Sequence, residues 1–266
     1  LLLSWLLMGT IMSGLIGLDS NWGDAREAKR FTRQYFIISS VFLSIGLLLP
    51  ASFNNTITIS EWIASIGQAP GYIKIISALC IIMAALIQSA IFPFHKWLLS
   101  AMTAPTPASA LMHAGFVNGS GILLTLFAPL LIASNTLEIL LVIGGLTAIL
   151  AQFTKLIQVN VKQRLACSTI AQMGFMIMQC GLGFFNAAIA HLILHGFYKA
   201  YLFLSSGEEI EQSRPTEPPV IRIKWFQALI VLLFSLMGAY LFVLFTGKGM
   251  HLDSGIFLTL IVSITI

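Results

Sequence analysis

Three ionisable side chains recur within one apolar, helix-length run. Residues 188–206 read AIAHLILHGFYKAYLFLSS, with His191, His195 and Lys199 four residues apart. On a helix the second and third turn only ~40° and ~80° from the first and climb roughly 6 and 12 Å. They therefore form a ladder along one face. Ionisable groups inside a hydrocarbon-compatible helix are costly and mark proton relays or ion paths by default. Histidine titrates near neutrality, and a low dielectric disfavours the charged form of an amine. Together the three suit stepwise loading of a proton, with one water between rungs. A lysine near the end of a span can also snorkel to the interface, but two histidines on the preceding turns favour a path.

Gln88, His95 and Lys96 flank an expected helix interruption, and His113 lies inside a second helix. Pro93 removes a backbone donor and clashes with the preceding turn, so a helix crossing it must break or kink. Broken membrane helices persist where protein or water satisfies the freed backbone, and such breaks accompany ion sites. Gln88 lies about one turn before this break and His95 just after it, a possible broken-helix site. The exposed end of the break carries Lys96, suited to snorkelling. A second helix starts at about Pro107, a favoured first-turn position, and carries His113 among Ala110, Ala114 and Gly115. Small neighbours allow close helix approach and leave room for water.

Other chemistries find no support. No glycine-rich phosphate loop precedes a helix, and no carboxylate pair falls within a span. His191 and His195 resemble half a metal site, but Leu192 stands where the zinc-protease pattern needs glutamate. Cys80, Cys167 and Cys180 all fall in apolar segments, with spacing that fits neither a metal site nor a disulfide framework. No cofactor, metal or catalytic residue is expected in this chain.

The elements that must position these groups follow from composition. Hydrophobic residues make up 58% of the 266 and charged residues 9%, against roughly 25% charged in an average soluble domain. Continuous apolar stretches near twenty residues indicate helices instead of a barrel. The expected fold is all-α, a polytopic transmembrane helical bundle with a discontinuous helix near Pro93. Eight full or nearly full spans are expected at about 1–18, 35–50, 72–92, 107–128, 136–157, 165–183, 186–205 and 225–246, with a truncated ninth from 255. Both ends lie inside apolar runs, so residues 1–266 read as a fragment comprising a single transmembrane domain. A short interfacial helix is expected near 56–67, and 206–224 forms the long polar connection.

Loop charges orient the bundle. If spans alternate, one side receives Arg26, Lys29, Arg30, Arg33, Lys96, Lys155, Lys162, Arg164, Arg214, Arg222 and Lys224, and the other only Lys74 and Lys248. By the positive-inside rule the 19–34, 158–164 and 206–224 loops are cytoplasmic. The net charge of +4 serves this orientation and needs no nucleic acid.

The runs PFHKWLLSAMTAPTPASALMHAGFVNGSG, VKQRLACSTIAQMGFMIMQCGLG and AAIAHLILHGFYKAYLFLSSG resemble the antiporter-like superfamily of proton-translocating membrane subunits. That group contains complex I subunits of the L type and the large subunits of Mrp antiporters. FPFHKWL, APTPASALMHAGFVN and QCGLG are most similar to the membrane-subunit family of the DabAB inorganic-carbon accumulation systems. The resemblance covers roughly residues 72–207. It implies that His113, His191, His195 and Lys199 lie along a central hydrophilic axis. It also implies a lysine on the broken helix and a glutamate on the first; here Gln88 stands at the former position and residues 1–18 hold no acid. A downhill conductor fits that pattern better than a redox-driven pump.

The function implied is a proton- or cation-conducting subunit of the bacterial plasma (inner) membrane. It would couple the proton gradient to inorganic carbon uptake in a hetero-oligomer with a peripheral DabA-type protein, and any zinc would belong to that partner. Membrane lipid is the other expected contact. The alternatives are a proton-pumping subunit of NADH-quinone oxidoreductase, an Mrp-type sodium/proton antiporter subunit and, of another class, a structural membrane anchor.

Overall fold

In hydrocarbon every backbone N–H and C=O must be satisfied inside the protein, and the apolar runs accordingly fold as helices. A computed structural model describes residues 1–54, 58–66, 69–212 and 225–246, and no strand occurs among them. The chain divides into two units, Leu1–Gly207 and Glu208–Ile266. Five helical stretches are long and apolar enough to cross a membrane: Gly23–Phe53, Gly71–Gln88, Thr106–Leu126, Leu137–Ile157 and Phe185–Ser205.

The first unit opens with a hairpin of α1 (Leu2–Ile16) and α2 (Gly23–Asn54). The expected 19–34 loop is mostly helix: α2 begins at Gly23, so Arg26, Lys29, Arg30 and Arg33 ride on its first turns. The stretch DAREAKRFTRQ contains good helix formers, and Ala25, Ala28 and Thr32 bury one face of it. A buried hydrogen-bond chain then ties three helices together. Trp5 Nε1 donates to Ser39 Oγ at 3.0 Å, and Ser39 Oγ donates to the Ala84 carbonyl of α4 (Gly71–Gln88) at 3.0 Å. The short helix expected near 56–67 is α3 (Ile59–Ser65), started by a Thr58–Glu61 capping box. Its Trp62 turns inward, with ring centroid 5.1 Å from that of Phe127.

Both helix interruptions have local causes. α4 stops five residues before Pro93: Ala90 adopts φ 55°, and Ile91 N–H reaches back to the Leu86 carbonyl at 3.0 Å. This is a Schellman-type stop. The chain turns through 89–95 and resumes as α5 (Lys96–Ser100). Trp97 folds back, donating Nε1–H to the Ile87 carbonyl at 2.7 Å, and packs with Phe36 and Phe116. A second interruption splits the expected 107–128 span. α6 (Thr106–Ala114) ends at Gly115, a 3-10 turn covers Phe116–Asn118, and α7 (Gly119–Leu126) follows. The end of α4 satisfies the freed carbonyls: Gln88 Nε2 donates to Phe116 O at 3.4 Å and Ser89 Oγ to Val117 O at 3.2 Å.

After α8 (Ala128–Ala133), α9 (Leu137–Ile157) and α10 (Val161–Gly181) form the tightest pair. A Cβ on Gly174 would stand 2.7 Å from Ala148 N and 2.9 Å from Gly144 O, so these glycines permit backbone contact. Lys162, at the start of α10, donates to the Ala104 carbonyl at 3.1 Å and so fixes α10 against the start of α6. α11 (Phe185–Gln212) runs beyond its expected end. The 206–224 connection is therefore helical through Gln212, and its proline-rich remainder lies outside the described residues. In the second unit, α12 (Trp225–Thr246) is a 22-residue apolar helix. The span expected from 255 lies outside the described residues.

Candidate functional site

The ladder residues are buried: His191 is 9% exposed, His195 5%, Lys199 1% and, on α6, His113 0%. Helical spacing puts His191, His195 and Lys199 on one face of α11, and the His191 and His195 ring centroids stand 6.0 Å apart. Close helix approach holds that face against the bundle. A Cβ on Gly196 would meet the Ala114 carbonyl at 2.8 Å. Asn118, in the second break, donates Nδ2–H to the Leu192 carbonyl at 3.2 Å and to Ala114 O at 2.7 Å.

α10 supplies the partners. Lys199 Nζ donates to the Leu165 carbonyl at 3.0 Å and to Ser168 Oγ. It does not snorkel. Thr169 Oγ1 donates to the same Leu165 carbonyl at 3.1 Å, so its lone pair is what faces His113 Nδ1 at 3.0 Å. With the Thr169 proton on that carbonyl, His113 carries its own proton on Nδ1 and leaves Nε2 to accept. The Phe203 ring stacks on His113 at 4.4 Å and holds the imidazole plane. His191 Nδ1 faces Gln179 Oε1 at 3.0 Å, and a carbonyl oxygen can only accept. His191 is fixed as the same tautomer.

These hydrogen bonds bring His113 into one cluster with Lys199 through Thr169 and Leu165. His195 lies within electrostatic reach of His191, Lys199 and His113. Several buried polar atoms here have no partner among the described residues: His113 Nε2, His195 Nε2, Gln179 Nε2 and Asn118 Oδ1. Buried polar groups are normally hydrogen-bonded to protein or ordered water, so these atoms define polar positions suited to water. The cluster thus combines exchangeable protons, two oriented imidazoles and a buried amine.

Gln88 and His95 part company. Gln88 is 1% exposed and its amide reaches the break just beyond His113. His95 stays at the first break, stacked on Phe92 at 5.5 Å, where it lines a separate cavity against α9 and α10. The two do not form one site. Sequence reasoning missed Ser168, Thr169 and Gln179. Their signal was available: Ser168 and Gln179 are spaced to share a face of α10, polar residues within the span expected at 165–183. Among the described residues no group of three or more His, Cys, Asp or Glu is placed to hold a metal ion.

A polytopic all-α bundle with two interrupted helices and a buried row of histidines and lysine is the architecture of an antiporter-like membrane subunit. The chain belongs to the family described as NADH:quinone oxidoreductase/Mrp antiporter, TM, whose model matches residues 1–266. It is 36% identical over 250 residues to the probable inorganic carbon transporter subunit DabB of Bacillus subtilis (strain 168), covering 92% of this chain and 49% of that protein. It is 35% identical over 217 residues to NADH-quinone oxidoreductase subunit L of Pseudomonas aeruginosa, covering 79% of this chain and 34% of that one. Its structure superimposes on the Mrp complex from Dietzia sp. DQ12-45-1b with TM-score 0.76 at 26% identity, over 90% of this chain and 27% of that one. The chain spans about half the length of the DabB relatives from Bacillus that it matches.

Proposed function

We propose that this chain is the conducting part of a membrane subunit that moves protons, with His191, His195 and Lys199 as shuttle groups and His113 extending the path. One observation carries the reading: Lys199 is buried and held by α10, beside His113 and His195, whose Nε2 atoms are buried with no hydrogen-bond partner among the described residues. An amine or imidazole that exchanges protons needs this arrangement, a donor on one side and a hydratable lone pair on the other. Gln88, uncharged at the end of α4, leaves the broken helix without a second buried cation, which favours downhill flow over a pump.

The likeness to DabB proteins supports coupling of that flow to inorganic carbon uptake, in a hetero-oligomer with a peripheral DabA-type partner in the inner membrane. No zinc or other cofactor is proposed for this chain. The basic 158–164 connection and the start of α2 would face the cytoplasm. The test is growth at low CO2 of cells depending on the complex: Lys199→Ala abolishes it while assembly persists. Normal growth of that variant overturns the reading. Redox-coupled pumping or sodium-dependent exchange in vesicles would instead assign the complex I or Mrp role. Loss of complex yield without loss of conduction would assign the structural-anchor role.

A further inference from the structure

A cavity of about 220 Å³ lies between the first helix break and the α9–α10 pair, and none of His113, His191, His195 and Lys199 lines it. Phe92, His95, Leu150, Ala151, Cys167 and Ile170 are among its walls. Its lining is mainly apolar, and an apolar cavity of about 150 Å³ already admits a benzene ring. Phe92 and Leu150 are each 49% exposed, so the cavity opens on the outer, hydrocarbon-facing side of the bundle. His95 Nδ1 is buried there without a hydrogen-bond partner among the described residues.

The charge around its end is of one sign. Lys155 lies one turn beyond Ala151 on the same face of α9, and Arg164 one turn before Cys167 on α10. Both positions are at the joined ends of the two helices. Lys96 follows His95 directly. Lys96 and Arg164 are exposed and Lys155 half-buried, and none of the three has an ion pair or hydrogen bond to another described residue. Between Ser89 and Gly207 the single acid is Glu138, at the opposite end of α9. Unpaired cations one turn past an apolar cavity, at a membrane–water boundary, match a molecule with a hydrocarbon chain and an anionic head.

We propose that this cavity is a binding site for an anionic phospholipid, its acyl chain lying against Ala151 and Ile170 and its phosphate on Lys96, Lys155 and Arg164. Basic recesses between spanning helices near the interface attract anionic headgroups. The inference does not depend on whether the ladder moves protons.

The test uses the full-length protein, purified in mild detergent and exposed to phosphatidylglycerol or phosphatidylethanolamine of identical acyl chains, with bound lipid read by native mass spectrometry. Phosphatidylglycerol is retained preferentially. The triple variant Lys96→Gln, Lys155→Gln, Arg164→Gln loses about fivefold of that preference per cation removed. Ala151→Phe fills the cavity and displaces both lipids; should it fail to fold, Leu150→Trp blocks the mouth instead. A photoreactive residue at position 150 links to lipid. Equal retention of the two lipids, unchanged retention with the cavity filled, or a link to polypeptide at position 150 would each overturn the site.

Discussion

Replacing Lys199 by methionine separates a proton carrier from a structural strut, because the two roles predict opposite effects on stability. The side chain is 1% exposed and donates to the Leu165 carbonyl and to Ser168 Oγ. Hydrogen bonds to a charged group contribute about 1.5–3 kcal/mol each. Desolvating an ammonium costs several kcal/mol. Lys199→Met removes both together, keeps the volume, and leaves the Leu165 carbonyl with the Thr169 hydroxyl at 3.1 Å. Its net effect on stability is near zero or favourable. Ser168→Ala does the reverse: the buried charge stays and loses an acceptor, at a cost of about 1.5–3 kcal/mol. Both can be read by thermal unfolding with a thiol-reactive dye, since Cys167 and Cys180 are free and buried. Proton flux is measured in proteoliposomes with an internal pH indicator under an imposed potential. Flux falls at least tenfold in Lys199→Met, which melts no lower than the parent, whereas Ser168→Ala melts lower. If Lys199→Met melts as low as Ser168→Ala while conducting normally, the lysine is a strut and the reasoning fails.

Thr169→Val leaves His113 Nδ1–H without its acceptor at no change in shape; it lowers stability by about 1–3 kcal/mol and slows flux, and nitrogen NMR of labelled histidine reports the lost tautomer preference. Gly174→Ala drives a methyl into Ala148 N and Gly144 O, so the strain outweighs the ~1 kcal/mol of helix propensity gained, and a melting point at or above the parent's would contradict the α9–α10 contact. His95, outside the long helices, titrates below the ordinary 6.5 because burial and then Lys96 disfavour its charged form. The unfolded chain therefore takes up a proton first as the pH falls through 6.5, and stability drops below that point. His95→Phe flattens this acid limb, which denaturation midpoints between pH 7 and 5 will show.

The membrane class, the helices and the ladder itself were legible in the sequence because each rests on local information. Hydrophobic run length sets a span, and a spacing of four sets a face, whatever the neighbours do. His191, His195 and Lys199 could be placed on one stripe of α11 by helix geometry alone. Pro93 announced a break, yet α4 ends at Gln88, because the left-handed turn at Ala90 is set by the carbonyls of Leu86 and Ile87 and not by the proline. The second break had no proline to announce it. Gly115–Asn118 can leave helical geometry because Gln88 and Ser89, about 30 residues earlier in the chain, donate to the carbonyls it frees.

Tertiary structure decided which groups the ladder meets. A lysine near a span's end can snorkel or turn inward with equal local geometry; Leu165 and Ser168 on α10 turn it inward. His113 joins the cluster only because α10, held close to α9 by facing glycines, presents Thr169 to it. Gln88 and His95, seven residues apart, are separated by the turn between α4 and α5, the first going to the second break and the other to a cavity against α9 and α10. The sequence specified the ionisable groups and their order along each helix. Their partners, tautomers and grouping depend on contacts between segments far apart in the chain, and only the packed helices bring those contacts into being.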